Sequence, residues 1–214
     1  MKKLMKFAAA SVVAIGVVGS AQATTFYSGP ISGWTTVNDT QDGDATFTQD
    51  TLTTTLPGNT NVTIGETQLG GLDTYTVSYD FTGLASGGIT NSTYIGNYTL
   101  QTSNGETVRY VSLDSAVPGQ YPNASVVKNI SDAITTTPIT SLTSISGSPA
   151  GPNTVNDNNI YVNEIYTAAS NGYITASTNT YTVSTPVPEP GSILLLGIGL
   201  TGLVFGRQKI KHKA

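Results

Sequence analysis

The 214-residue sequence contains no cysteine and a single histidine, His212, close to its end. The absence of cysteine excludes a disulfide framework, a thiolate nucleophile and a cysteine-bound metal. Because His212 follows the last apolar run, the central part of the chain has no imidazole for a Ser-His-Asp triad or a histidine-bound zinc. An enzyme built on this chain would depend on carboxylates, tyrosines, Lys128 or Arg109.

Basic residues are also scarce in the middle of the chain. Most of them lie at residues 2–6 and 207–213, which leaves Arg109 and Lys128 against twelve acidic residues and a net charge of −10 for residues 24–186. This charge opposes contact with phosphate groups and argues against nucleic acid or anionic lipid as a partner. A neutral polysaccharide, a divalent cation or no partner at all is compatible with it.

The N-terminus has the three parts of a secretory signal peptide. Lysines precede an apolar stretch over residues 7–18, and Ala21-Gln22-Ala23 has the small-x-small pattern of a cleavage site. We therefore predict a signal peptide over residues 1–23, cleaved after Ala23. An uncleaved N-terminal anchor is the alternative, and the short apolar stretch disfavours it.

A second targeting pattern occupies residues 187–214. Pro188 and Pro190 flank Glu189 and keep this segment extended. The uncharged run 193–205 follows and predicts a short apolar helix of about 20 Å, shorter than the roughly 30 Å hydrocarbon core of a bilayer. A cluster of lysines and an arginine comes next and marks the cytoplasmic side.

This order of a Pro-Glu-Pro box, an apolar helix and a basic end resembles the PEP-CTERM sorting signal of Gram-negative bacteria. The resemblance implies that an exosortase cuts near Pro188, Glu189 and Pro190, and that residues 193–205 enter the inner membrane only transiently. It also implies a final location at the cell surface or in an exopolysaccharide, biofilm or floc matrix. The basic end departs slightly from the pattern, since its lysines alternate with other residues instead of forming an arginine block. An ordinary C-terminal anchor helix is the alternative.

The central region is rich in Thr, Ser, Asn, Gly and Tyr and alternates with period two. Tyr75, Val77, Tyr79 and Phe81 fall on one face of the clearest segment, with hydroxyl and acidic residues on the other. Such segments separated by turn residues predict an all-β fold, an antiparallel β-sandwich or jelly roll over residues 24–180. A short stalk over residues 181–186 would lead to the sorting signal.

The individual strands are predicted from the same alternation. They cover residues 51–56, 61–64, 74–81, 94–100, 106–113, 139–145, 160–166 and 173–183, the last broken near Ser177. Asn104-Gly105 predicts a hairpin turn. Residues 124–133 could hold a helical turn or two, and residues 135–159 are expected to form a long exposed connection with one strand at most.

One acidic loop is a candidate calcium site, and calcium is the one cofactor that the sequence suggests. Counted from Asn38, the loop places Asp42 and Gly43 where a calcium loop of the EF type has a ligand and its glycine, and Asp44 follows. The twelfth position is Gln49, where a bidentate glutamate is expected. An acidic solvated loop without a metal is the alternative.

Three aromatic residues are candidates for stacking on sugar rings. Trp34, Tyr94 and Tyr98 could form a carbohydrate-binding platform if they were exposed. A cysteine-free sandwich also needs large aromatic side chains in its core, and this is the alternative for each of them.

These observations favour an exported, non-enzymatic surface or matrix protein with a structural or adhesive role beside extracellular polysaccharide. A carbohydrate- or calcium-binding module is the main alternative. A hydrolase would need two carboxyl groups about 5 to 10 Å apart, with Asp80, Glu106, Asp114 and Glu164 as candidates.

Overall fold

Antiparallel β-strands make up most of the described chain. The computed structural model describes residues 22–69, 72–118 and 122–184, and the predicted sorting signal lies outside these ranges. The strands are β1 (Gln22–Pro30), β2 (Thr36–Asn38), β3 (Ala45–Gln49), β4 (Asn61–Leu69), β5 (Leu72–Asp80), β6 (Ser92–Thr102), β7 (Thr107–Ala116), β8 (Pro122–Asp132), β9 (Pro138–Ile145), β10 (Ala150–Asp157), β11 (Asn159–Gly172) and β12 (Ala176–Ser184). One turn of 3-10 helix, Ile31–Gly33, separates β1 from β2.

The strands form two six-stranded antiparallel sheets. The first sheet has the order β1-β4-β5-β12-β7-β10, and the second has the order β2-β3-β6-β11-β8-β9. Buried apolar side chains from both sheets form one core between them. The prediction of an all-β protein with antiparallel sheets is confirmed, and the arrangement is that of a β-sandwich.

The period-two pattern of β5 gives this strand its inward face. Tyr75, Val77 and Tyr79 are buried, and the residues between them are half-buried on the outer face. Phe81 continues the buried series just beyond the strand. The alternation therefore identified the correct face of the strand.

Aromatic contacts join the two sheets across the core. The hydroxyl groups of Tyr98 on β6 and Tyr181 on β12 are hydrogen-bonded to each other. The rings of Tyr79 on β5 and Tyr166 on β11 meet edge to face with centroids 5.9 Å apart. In a domain without disulfides, such pairs combine large buried areas with a defined geometry.

The last strand occupies most of the predicted stalk. Tyr181 and Val183 on β12 are fully buried, because the alternation persists as far as Ser184. The prediction of a stalk over residues 181–186 is therefore wrong for residues 181–184, which belong to the sandwich.

The region after β7 holds more strands than the sequence suggested. Residues 124–132, considered for a helical turn, lie in β8. The predicted exposed connection contains β9 and β10, which pair with β8 and β7 and so belong to different sheets. The strand predicted at residues 139–145 corresponds to β9. The strand β10 was not predicted, because its outward positions are mostly polar and this composition hid the alternation.

One predicted strand is a series of turns. Asp50 accepts hydrogen bonds from the backbone N–H of Leu52 (3.1 Å) and the hydroxyl of Thr53. Local bonds of this kind compete with strand pairing, so residues 51–56 turn instead of extending.

The turn at Asn104-Gly105 is present, but the predicted hairpin is not. Both residues have positive φ, 56° and 79°, and the N–H of Glu106 donates to the carbonyl of Ser103 at 2.9 Å. However, β6 belongs to the second sheet and β7 to the first. The turn therefore carries the chain from one sheet to the other and leaves Glu106 at one end of the sandwich.

The targeting segments are largely outside the described ranges. Ala21 and the apolar helix predicted at 193–205 lie beyond them, as do Pro188, Glu189 and Pro190. Within residues 22–69, 72–118 and 122–184, no helix is long and apolar enough to cross a membrane.

Candidate functional site

The loop between β2 and β3 gathers three carboxylates. Asp39 and Asp44 are buried and Asp42 is exposed, and each offers an oxygen within 4.8 Å of the others. A hydrogen bond from the N–H of Asp39 to the carbonyl of Ala45, 2.8 Å, closes the loop. Gly43 has a φ of 76°, which favours glycine at this turn.

Two of the three residues predicted as calcium ligands lie in this group of carboxylates, and the third does not. Asp42 and Asp44 belong to the group, whereas Asn38 is exposed and its Oδ1 accepts a hydrogen bond from Thr46 at 3.1 Å. Asn38 ends β2 on the outward side, so the next residue, Asp39, points inward in its place. The group therefore contains Asp39, which was not among the predicted ligands.

Three more carboxylates, from other parts of the chain, lie beside those of the β2–β3 loop. Glu66 on β4 and Asp73 on β5 form a group with Asp42. Asp73 also forms a group with Asp44 and Glu106, which follows the turn after β6. We call these six residues the acidic cluster; its members are Asp39, Asp42, Asp44, Glu66, Asp73 and Glu106. It joins strands of the first sheet to a loop of the second.

Few hydrogen-bond donors serve this cluster. The hydroxyl of Tyr75 donates to Asp44 and approaches Asp39 at 3.3 Å. Gln68 Nε2 donates to Asp73 Oδ1 at 2.9 Å. Both carboxylate oxygens of Glu66, Oδ2 of Asp73 and Oε2 of Glu106 are buried without a hydrogen-bond partner. Unpaired buried oxygens of this kind are costly unless a ligand satisfies them.

Burial and repulsion between neighbouring carboxylates raise the pKa values of several of these carboxyl groups. Burial, reinforced by the charges of Asp39 and Asp42, raises the pKa of Glu66 to about 8. The pKa of Asp42 rises to about 7, mainly through its contact with Asp39, and burial raises that of Asp44 to about 7. Without a cation between them, several of these carboxyl groups therefore hold a proton close to neutral pH, because the fold supplies too little positive charge to stabilise all of them as carboxylates.

The structure places two of the three candidate sugar-stacking residues in the core. Trp34 is 1% exposed, and Tyr98 is fully buried. Their ring centroids are 5.5 Å apart, and Trp34 Nε1 donates to the carbonyl of Phe47 at 3.4 Å. Neither ring is open to a sugar, because both fill the space between the sheets.

Tyr94 is the aromatic candidate that reaches the surface. Its half-buried side chain lies in an open cleft of about 430 Å³. The cleft is lined by Pro57, Asn59, Leu84, Ala85, Ser86, Gly88, Ile89, Thr90, Ser92 and Tyr94. Polar and apolar groups are thus combined around a single ring.

A buried lysine and glutamate form a second charged site, which the sequence analysis missed. Lys128 Nζ donates to the carbonyl of Ser112 at 3.0 Å and lies 4.4 Å from the centre of the Tyr181 ring. Glu164 accepts a hydrogen bond from Tyr166 at 2.8 Å. Both charged side chains are fully enclosed by the core.

The carboxylates considered for a hydrolase are dispersed. Glu106 belongs to the acidic cluster and Glu164 lies in the core. Asp80 and Asp114 are exposed on β5 and β7, two strands of the first sheet that β12 separates.

The period-two pattern of the sequence contained evidence for both charged sites, the acidic cluster and the Lys128–Glu164 pair. Asp73 shares the inward register of Tyr75 and Val77, and Lys128 shares that of Val126 and Ile130. A charged residue in the inward register of an amphipathic strand must be paired or bound to something, because an isolated buried charge is too costly. Applied along each strand, this rule also selects Glu66 and Glu164.

The C-terminal segment matches a known sorting signal. Residues 186–209 match the family model described as the PEP-CTERM protein-sorting motif. The chain carries a PEP-CTERM motif. This motif indicates an exported protein that is processed at the membrane by an exosortase and anchored at the cell surface. The PEP-CTERM match contains Pro188, Glu189 and Pro190, as predicted.

Comparisons of the rest of the chain give little more. No curated protein matches the chain. A solved structure of the cleaved adhesin domain of Lys-gingipain from Porphyromonas gingivalis is similar over 77% of this chain and 97% of that one, with 14% identity and a TM-score of 0.29. A likeness of this size supports no conclusion about fold or function.

Proposed function

We propose that this chain is a non-enzymatic protein of the cell surface or extracellular matrix of a Gram-negative bacterium, with a structural or adhesive role beside extracellular polysaccharide. The sorting motif supplies the route to the surface. The observation that carries the proposal is the hydroxyl-rich outer face of the first sheet, which offers rows of hydrogen-bonding groups.

That outer face is formed by regular rows of hydroxyl side chains. Thr76 on β5 lies opposite Thr180 on β12, and Thr180 lies opposite Ser112 on β7. The hydroxyl-bearing residues of the face are Thr63, Thr67, Thr74, Thr76, Ser78, Ser112, Thr178, Thr180 and Thr182. Such rows suit a neutral glycan, whose own hydroxyl groups both donate and accept hydrogen bonds.

The second sheet also has a polar outer face, and its side chains are already bonded to one another. Asn163 Nδ2 donates to Asn97 at 2.7 Å, and Asn129 Nδ2 donates to Asn163 at 3.2 Å. The hydroxyl of Ser141 donates to Asn129 at 2.9 Å, which extends the series to β9. On the first sheet, the hydroxyl groups of Ser78 and Thr178 also bond to each other, at 3.2 Å. Because the series on the second sheet links four side chains across its strands, we assign the glycan contact to the first sheet.

The placement of the carboxylates supports a role without catalysis. A glycoside hydrolase needs two carboxyl groups that face one cleft. Among the described residues that line the Tyr94 cleft, none carries a carboxyl group. Most carboxyl groups of the acidic cluster are buried, and Asp44 accepts a hydrogen bond from Tyr75, so the cluster is not an open cleft for a glycan.

The Tyr94 cleft supports a second candidate function, a carbohydrate-binding module with a defined ligand. An aromatic ring beside Asn59, Ser86 and Ser92 combines a stacking surface with hydrogen-bonding groups. The two candidates differ in the surface that touches the glycan.

Binding to the purified extracellular polysaccharide of the host tests the proposal. Thr76→Val together with Thr180→Val removes two adjacent hydroxyl groups but keeps branched side chains that suit a strand. We expect this double variant to bind at least about tenfold more weakly, the effect of losing roughly 1.4 kcal/mol of contact. Thr143→Val, at an exposed position on β9, is the matched control and should bind normally.

Two results would contradict the assignment. If Tyr94→Ala abolishes binding and the double variant does not, the glycan site is the cleft. If the unmutated protein does not bind the polysaccharide at all, the adhesive role is wrong.

A further inference from the structure

The residues of the acidic cluster come from both sheets and meet where the sheets adjoin. Asp42 and Asp44 come from the loop that joins two strands of the second sheet. Glu66 and Asp73 come from strands of the first sheet, and Glu106 lies where the chain crosses between the sheets. Their oxygens fall into overlapping groups in which all ligand atoms lie within 4.8 Å of one another.

Acidic residues often cluster at protein surfaces without a ligand, but this cluster differs in its burial. Glu66 is 3% exposed, and both of its carboxylate oxygens lack a hydrogen-bond partner while one lies within 4.8 Å of oxygens of Asp42 and Asp73. Asp73 is fully buried and leaves Oδ2 unpartnered. Unpartnered carboxylate oxygens of Glu66 and Asp73 are therefore buried close to other carboxylates. A cation bound between these oxygens would stabilise the arrangement.

Neither basic residue of the described ranges serves as that cation. Lys128 Nζ is bound to the carbonyl of Ser112 deep in the core. Arg109 donates to Ser184 at 2.7 Å and to Asn156 at 3.2 Å on the surface. The described residues therefore supply no positive charge to the cluster, and a compensating cation must come from solution.

We propose that the acidic cluster is a calcium site, with Asp73 as its central ligand. Its charged ligands are all carboxylate oxygens, the donors that calcium prefers, and calcium takes about six to eight oxygens in flexible geometry. Zinc and copper favour imidazole or thiolate ligands, which the exported part of the chain lacks. Magnesium demands a small octahedral set and retains several waters, which fits these overlapping and mostly buried carboxylate groups poorly.

The position of the site gives the cation a mechanical role. Leu72, next to Asp73, pairs with Ser184, the last described residue before the sorting motif. A calcium ion here ties the β2–β3 loop, the β4–β5 hairpin and the β6–β7 crossing together at the end from which the chain continues to its sorting signal. The ion would therefore stabilise the anchored end of the sandwich.

The test uses the exported protein, stripped of metal with EGTA and then supplied with calcium. At about 10 mM CaCl2, well above the roughly 10⁻⁴ to 10⁻³ M dissociation constants of extracellular calcium modules, we expect the melting temperature to rise by about 3 °C or more. The same concentration of MgCl2 should give less than half of this rise. An equal response to magnesium would overturn the assignment to calcium.

Asp73→Asn is the decisive variant, because it keeps the shape of the side chain and can keep the contact with Gln68. In EGTA it should melt at a higher temperature than the unmutated protein, since one repelling charge is gone, and calcium should no longer raise its melting temperature. Asp114→Asn, an exposed change on the outer face, is the matched control and should keep the full calcium response.

Titration calorimetry of the unmutated protein provides an independent measurement. We expect a saturable heat of calcium binding that Asp73→Asn reduces at least about tenfold in affinity. No saturable heat, or an equal calcium response in Asp73→Asn, would falsify the proposal. Either result would leave the polysaccharide role unaffected, because the two surfaces share no residue.

Discussion

Lys128 and Glu164 lie directly opposite each other on β8 and β11, and both side chains are fully buried. Burial lowers the pKa of Lys128 to about 7, although the charge of Glu164 acts in the opposite direction. Burial also raises the pKa of Glu164 to about 7, against the effect of Lys128. The two groups therefore change charge close to neutral pH, inside a core that is otherwise mainly apolar and aromatic.

Lys128→Met should change how stability depends on pH. Between pH 7 and about 10, the unfolded chain holds the lysine proton whereas the folded protein has released it. In the unmutated protein, Lys128 therefore makes the free energy of unfolding rise with pH, by up to about 1.4 kcal/mol per pH unit. The variant lacks this contribution. Urea denaturation at several values between pH 7 and 9.5 measures the difference between the two profiles.

Arg109→Met is the matched control for this prediction. It also removes a positive charge, but from an exposed side chain. Its profile should run parallel to that of the unmutated protein. A parallel profile for Lys128→Met as well would mean that the lysine is not deprotonated on folding.

The two faces of β5 should respond very differently to the same substitution. Val77→Asp places a charge at a fully buried position among apolar side chains, and we expect a loss of about 4 kcal/mol or more, enough to unfold a marginally stable domain. Ser78→Asp, on the half-buried outer face, should change the free energy of unfolding by less than about 1 kcal/mol. Chemical denaturation followed by circular dichroism compares the two variants. Equal losses would mean that the sheet is covered on both faces.

Processing at both ends is expected for the exported protein. Cleavage after Ala23 removes Gln22 and Ala23 from the start of β1, and both lie at its end, where they pair only with β4. The mature chain should therefore begin at Thr24 without losing the sandwich, and it should end near Pro188. Intact mass spectrometry of protein recovered from the surface of its host measures both ends.

The sorting part of this prediction has its own variants. Pro188→Ala together with Pro190→Ala should leave the chain in the inner membrane, because the extended box is no longer held rigid. Thr185→Ala, just before the matched motif, should be processed normally. Surface protein that still carries residues 209–214 would contradict exosortase processing.

The sequence alone was enough to identify several of the strands and the sorting motif. Alternation along β5 and β11 is a local property of consecutive residues, so it predicted both strands and, for β5, the inward face. The PEP-CTERM motif is likewise read from consecutive residues, and the family match at 186–209 confirms it. Local patterns were weaker where side chains on both faces are polar, as in β10.

Only the tertiary structure decided which strands are neighbours and which charges meet. The turn at Asn104-Gly105 was predictable, but its local geometry contains no information about the sheet that β7 joins. The acidic cluster assembles residues from Asp39 to Glu106, and the core pair joins Lys128 to Glu164. Contacts of this range depend on the order of strands in two packed sheets, which is a property of the whole chain and not of any one segment.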